Sequence, residues 1–251
     1  MKHVYIGTSG WSYKGWQRTF YPKDVPVKDH FRFYATQFPT VEINLTFYRL
    51  PTPQMVKGWR EKAPEGFVYA VKGSRFITHM KKLKNLDGAL DKYFDRIKPL
   101  KKHIGVVLWQ LPPMLKLEVE RLEDFLNLLP KSYRHAVEFR EQSWMTRETF
   151  ELLRRYDVAH ASLSSMRMPM DLTVTSDIVY IRFHGLQGGF AHNYTRAELE
   201  PWARHIRHQA RGERKVFAYF NNDANVRAPT NAKLLMEMVG EEACEPFAEA
   251  A

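Results

Sequence analysis

Four pairs of polar residues, each two positions apart, interrupt apolar runs: Glu42 and Asn44, Glu138 and Arg140, Arg182 and His184, Tyr219 and Asn221. On an extended strand, a spacing of two puts both members on one face and their apolar neighbours on the other. Lys72 and Gln110 end two further apolar runs in the same manner. Facing one cavity, the carboxylates of Glu42 and Glu138 could work as general acid and base. Lys72, Arg140 and Arg182 favour a phosphate or carboxylate on the ligand. Asn44, Gln110, His184 and Asn221 would orient it. Glu42, Glu138, Lys72 and His184 are therefore the candidate catalytic groups, with the others as ligand contacts. A divalent ion would draw on Glu42, Glu138, His79 and His184. Three cations nearby oppose it and no HExxH spacing occurs, so the sequence predicts no metal.

These residues need strands to carry them. Strand-like runs rich in Val, Ile, Phe and Tyr are Val4–Thr8, Val41–Leu45, Phe67–Lys72, Ile104–Gln110, Ala136–Arg140, Val158–Leu163, Ile178–His184 and Val216–Asn221. Amphipathic runs between them predict helices over Val27–Gln37, Gln54–Lys62, Leu86–Leu100, Leu117–Leu129, Arg147–Arg155, Arg196–Gln209 and Asn225–Val239. Pro53 and Thr146 supply start signals. Strands alternating with helices call for a parallel sheet covered by helices. The expectation is an α/β chain, a single (β/α)8 TIM-barrel-like domain over 1–251 with a short acidic tail at about 241–251. The polar faces then point inward at the barrel mouth, the C-terminal end where catalytic residues of such barrels gather. Ser164-Ser165-Met166-Arg167-Met168-Pro169 reads as loop, so the sixth strand lacks a full helix after it. Trp11, Tyr13, Trp16, Phe20 and Tyr21 fall in a long first βα loop. That loop could roof the mouth and stack on a planar ring, or form a small satellite core of its own.

The 251 residues carry 38 Lys+Arg against 28 Asp+Glu, a net charge of +10. All of this excess lies in residues 1–125, and 72–102 alone hold ten basic and three acidic residues. Such a surface can attract nucleic acid, the alternative partner to a small anionic ligand. No GxGxxG or Walker A sequence is present, so no nucleotide cofactor is expected. No run approaches the roughly 20 apolar residues of a membrane span, so no membrane partner is expected. The first residues run straight into a strand, which gives no signal peptide. The single cysteine, Cys244, sits among acidic residues that disfavour a thiolate and cannot form an internal disulfide. These features predict a cytoplasmic protein.

Several blocks in order along the chain resemble the YecE-like family, known as domain of unknown function 72. They include Ile6-Gly7-Thr8-Ser9-Gly10-Trp11, Val41-Glu42-Ile43-Asn44 with Thr46-Phe47-Tyr48-Arg49, Lys72 with Ile77-Thr78-His79, and Gln110-Leu111-Pro112-Pro113. Val137-Glu138-Phe139-Arg140 with Ser143-Trp144, Tyr180-Ile181-Arg182-Phe183-His184-Gly185 and Tyr219-Phe220-Asn221-Asn222 complete them. The resemblance implies a TIM-barrel-like fold, distantly similar to the endonuclease IV and xylose isomerase barrels, and no established activity. Its blocks add Tyr48, His79, Trp144 and Asn222 to the candidate ligand contacts, beside Tyr219.

Overall fold

The computed structural model describes residues 3–240. The acidic tail with Cys244, and Met1 and Lys2, lie outside the described residues. The strands are β1 (Val4–Thr8), β2 (Thr40–Ile43), β3 (Val68–Lys72), β4 (Ile104–Gln110), β5 (His135–Glu138), β6 (Ala159–Ser165), β7 (Ile178–Gly185) and β8 (Lys215–Phe220). Each pairs in parallel with the next, and β8 pairs with β1, which closes an eight-stranded barrel. The helices are α1 (His30–Gln37), α2 (Leu45–Tyr48), α3 (Pro53–Lys62), α4 (Ala89–Ile97), α5 (Val119–Leu128), α6 (Arg147–Arg155), α7 (Arg196–Arg211) and α8 (Arg227–Val239). The fold is the (β/α)8 TIM-barrel-like one.

Local chemistry explains the boundaries. Thr52 Oγ1 accepts from the Met55 amide and Pro53 takes the first helical position of α3, where no N–H is needed. Thr146 caps α6 through the Thr149 amide, and Thr195 with Glu198 forms a reciprocal capping box on α7. The predicted helix over 86–100 begins instead at Ala89, because Gly88 holds φ 64° just before it. Two elements left no periodic signal: the single turn α2 and a π-helical turn over Phe76–Met80.

As expected, β6 leads to β7 without a helix. The connecting loop substitutes for one with a hydroxyl: Thr175 Oγ1 accepts from the His160 amide at 2.7 Å and donates to the Val158 carbonyl at 2.6 Å.

Inside the barrel, alternation sorts the side chains into layers. Tyr5 stacks on Phe217 at 5.0 Å. Above them Ala70, Ala136 and Ala161 leave room for the rings of Tyr180 and Tyr219, 5.5 Å apart. The outward face packs on the helices, as where the fully buried Trp109 lies against Tyr93, Phe94 and Phe125. In the first βα loop, Trp16 and Phe20 pack on Tyr34 of α1, Trp11 packs on Phe31, and Tyr21 stacks on His30 at 3.8 Å. These aromatics are continuous with the main core between the barrel and its helices, so the loop does not make a separate satellite core. Tyr13 remains beside the mouth, its hydroxyl donating to the Ser9 carbonyl.

Candidate functional site

Arg182 stands at the centre of the mouth. From β7, its Nη1 donates to Glu138 Oε2 of β5 at 2.6 Å and its Nη2 donates to Glu42 Oε1 of β2 at 2.7 Å. All three side chains are sealed from solvent, at 1%, 0% and 0% exposure. Glu42 also accepts from Ser9 Oγ at 2.8 Å and from the Tyr180 hydroxyl at 2.6 Å. Glu138 also accepts from Arg140 Nε, whose side chain is 23% exposed and reaches the rim. Both carboxylates thus have every oxygen engaged. Burial pushes each carboxyl up, but the neighbouring cations outweigh it: Arg182 and Lys72 hold Glu42 below its usual range, and Arg140 and Arg182 hold Glu138 well below it. Both are ionised at neutral pH.

The two guanidiniums balance the two carboxylates, which leaves Lys72 as the surplus cation. Its Nζ donates to Gln110 Oε1 at 2.6 Å and lies 4.3 Å from the centre of the Phe47 ring. Neither is an anion. Burial, then Arg182, push its ammonium down to about 7, against the opposing pull of Glu138 and Glu42. His184 Nε2 faces Arg140 Nη2 at 2.8 Å and Arg182 Nη1 at 3.3 Å, both obligatory donors. Accepting from these guanidiniums, the closer contacts beside Glu138 Oε1 at 3.5 Å, puts the ring proton on Nδ1, 3.2 Å from the Asn221 side-chain amide, which must then turn its oxygen toward it. Burial and Arg182 push its pKa down to about 4, so the ring is neutral at neutral pH. Asn44 lies just beyond β2, where its Oδ1 is buried without a partner among the described residues.

The match along the chain decides the family: residues 5–250 fit the one described as "Protein of unknown function DUF72". The chain belongs to the DUF72 family. It is 24% identical over 270 residues to the UPF0759 protein YunF of Bacillus subtilis, covering 94% of each chain. It is 31% identical over 145 residues to the UPF0759 protein YecE of Escherichia coli K12, covering 57% of this chain and 51% of that one. Among solved structures, a DUF72 family protein from Thermotoga maritima superposes with a TM-score of 0.86 at 28% identity, covering 94% of this chain and 99% of its own. One from Enterococcus faecalis does so with a TM-score of 0.81 at 16% identity, covering 94% and 95%, a likeness of fold alone.

In this DUF72 barrel the other candidate residues occupy different places. His79 is half-buried near the mouth, its ring 5.0 Å from the Phe47 ring that underlies Lys72. Tyr48 is 68% exposed on the rim. Tyr219 points inward but one layer lower, where its hydroxyl meets Thr40 Oγ1 at 2.7 Å. Trp144 lies outside the barrel wall, stacked on Phe139, with Nε1 donating to the Leu115 carbonyl at 2.6 Å. Asn222 is buried on the outward side and ties loops together through the His192 carbonyl and Asn231 Oδ1, each at 2.8 Å. Neither Trp144 nor Asn222 reaches the mouth cluster. Ser9 and Tyr180, absent from the candidate set, do. The signal was available: Tyr180 stands two residues before Arg182, and Ser9 two residues beyond inward-facing Gly7.

Among the described residues no three His, Cys, Asp or Glu side chains come together as a metal-binding group, and no helix is long and apolar enough to cross a membrane.

Proposed function

We propose that the barrel mouth binds a small anionic metabolite through a phosphate or carboxylate group, and that Lys72 and Arg140 hold the charge. The observation that carries this reading is the unmatched Lys72. A buried ammonium is costly without a counter-charge, and this one has only an amide oxygen and a ring face. Both nearby carboxylates are already committed to guanidiniums. Arg140 uses Nε and Nη2 within the cluster, and its side chain is 23% exposed at the rim. Asn44 Oδ1 supplies an acceptor for a hydroxyl or amine on the same ligand.

The same reading gives each group a proton role. Glu42 and Glu138, fully bonded and firmly ionised, act as anchors for Arg182 and Arg140. Lys72, with a pKa of about 7, exchanges a proton with a bound ligand near neutrality. His184 holds Arg140 in place. No metal takes part, and a cytoplasmic setting accords with this reading.

Calorimetry with inorganic phosphate, then with phosphorylated and carboxylated metabolites, tests it. An anion beside Lys72 favours the ammonium, so above pH 7 binding should take up close to one proton, visible as a heat that depends on the buffer. Lys72→Met should abolish both binding and uptake. Binding that is unchanged in Lys72→Met would sink the proposal.

A further inference from the structure

A second surface, outside the mouth cluster, lies between α2 and α4. A groove of about 470 Å³ is lined by Tyr48, Arg49, Arg75, Phe76, Met80 and Lys92, among others. Tyr48, Phe76 and Met80 are 68%, 42% and 65% exposed, an unusual outlay of large apolar side chains on one strip. No acidic residue lines the groove, and none of Arg49, Arg75 and Lys92 forms an ion pair among the described residues.

The backbone beneath is irregular in a way that local propensity does not favour. Phe76 to Met80 form the π-helical turn, a feature frequent at functional sites. Four positions apart, Phe76 and Met80 both line the groove, while Ile77 and Thr78 are buried.

We propose that this groove binds single-stranded nucleic acid. Aromatic faces flanked by unpaired cations provide what a single strand needs: stacking surfaces for bases and charge for the phosphates. A duplex keeps its base faces stacked on one another and offers none to Tyr48 or Phe76. A second copy of this chain fits poorly, since the chain is basic at +10 and the groove contributes only positive charge.

The test is fluorescence anisotropy with a short fluorescein-labelled oligothymidylate, in salt from about 50 to about 200 mM. The wild-type protein should bind at low salt and weaken steeply as salt rises. Tyr48→Ala and Phe76→Ala should each weaken binding on the order of tenfold, with circular dichroism unchanged because both side chains are exposed. Arg75→Gln should reduce the slope of log affinity on log salt by about one. The inference is overturned if the oligonucleotide does not bind at low salt, if both alanine variants bind as the wild type does, or if a duplex of equal length binds as tightly.

Discussion

Arg182 Nη2 donates to Glu42 Oε1 across 2.7 Å, with neither side chain accessible to solvent, and so ties β7 to β2 across the barrel. Removing one partner of a buried pair leaves the other charge stranded. Arg182→Ala strands Glu42 and leaves Glu138 with Arg140 alone, and we expect a loss of about 3–5 kcal/mol in urea unfolding. Arg182→Lys should recover little, because one ammonium cannot reproduce the fork that reaches both Glu42 and Glu138. Recovery of most of the stability by lysine would show that charge alone, without the fork, suffices.

Buried histidines set the acid side of the stability profile. His135, His160 and His184 all sit near pKa 4, lowered chiefly by burial. An unfolded histidine takes up its proton near 6.5, so the unfolded chain binds more protons between there and 4. Stability is therefore full above about pH 6.5 and falls toward pH 4, on the order of 3 kcal/mol for each group. Melting temperature against pH checks this. A flat profile down to pH 4 would mean that the rings are solvated.

Lys72 acts in the opposite range. Its folded pKa of about 7 lies below the ordinary lysine value of 10.5. Below pH 7 it is charged in both states and its burial cost is fully present. Between 7 and 10.5 only the unfolded chain stays protonated there, so this group makes stability rise with pH. Lys72→Met should flatten that rise. Glu138→Gln removes one of the two charges that hold the lysine's pKa up. It should shift the loss of phosphate binding to lower pH while costing less stability than Arg182→Ala. Phosphate titrations at several pH values, run beside urea unfolding, read both effects.

Gly185 ends β7 with φ 86°, and a Cβ there would overlap the Gly189 carbonyl. Gly185→Ala should destabilise by about 1–3 kcal/mol and weaken phosphate binding, because it displaces the chain that carries His184. Thermal unfolding and calorimetry on one preparation separate the two effects.

Much of the mouth was legible because alternation is a local property. The period of two brings Glu42, Lys72, Gln110, Glu138, Arg140, Arg182, His184 and Asn221 to one end of the barrel without knowledge of any long-range contact. Which charge neutralises which was not legible. Arg182 meets carboxylates on β2 and β5, and those encounters depend on closure of the whole ring. For that reason Glu42 and Glu138 read as free acid and base in the sequence, whereas in the structure their oxygens are filled. Trp144 and Asn222 came from motif blocks with no parity argument behind them, and both side chains lie on the outer side. The π-helical turn had no signal at all, since a one-residue change in hydrogen-bond span leaves no period to detect.

During synthesis, Glu42 and Glu138 leave the ribosome well before Arg182. A nascent chain that has made only its first six strands holds two carboxylates destined for a dry interior and lacks the cation that sits between them. Burying them at that stage is costly, so the partial barrel is held open to water. When residue 182 emerges, one side chain gives Glu42 its cation and joins Arg140 on Glu138. The clamp thereby ties drying of the interior to the arrival of β7, one strand before β8 closes the ring.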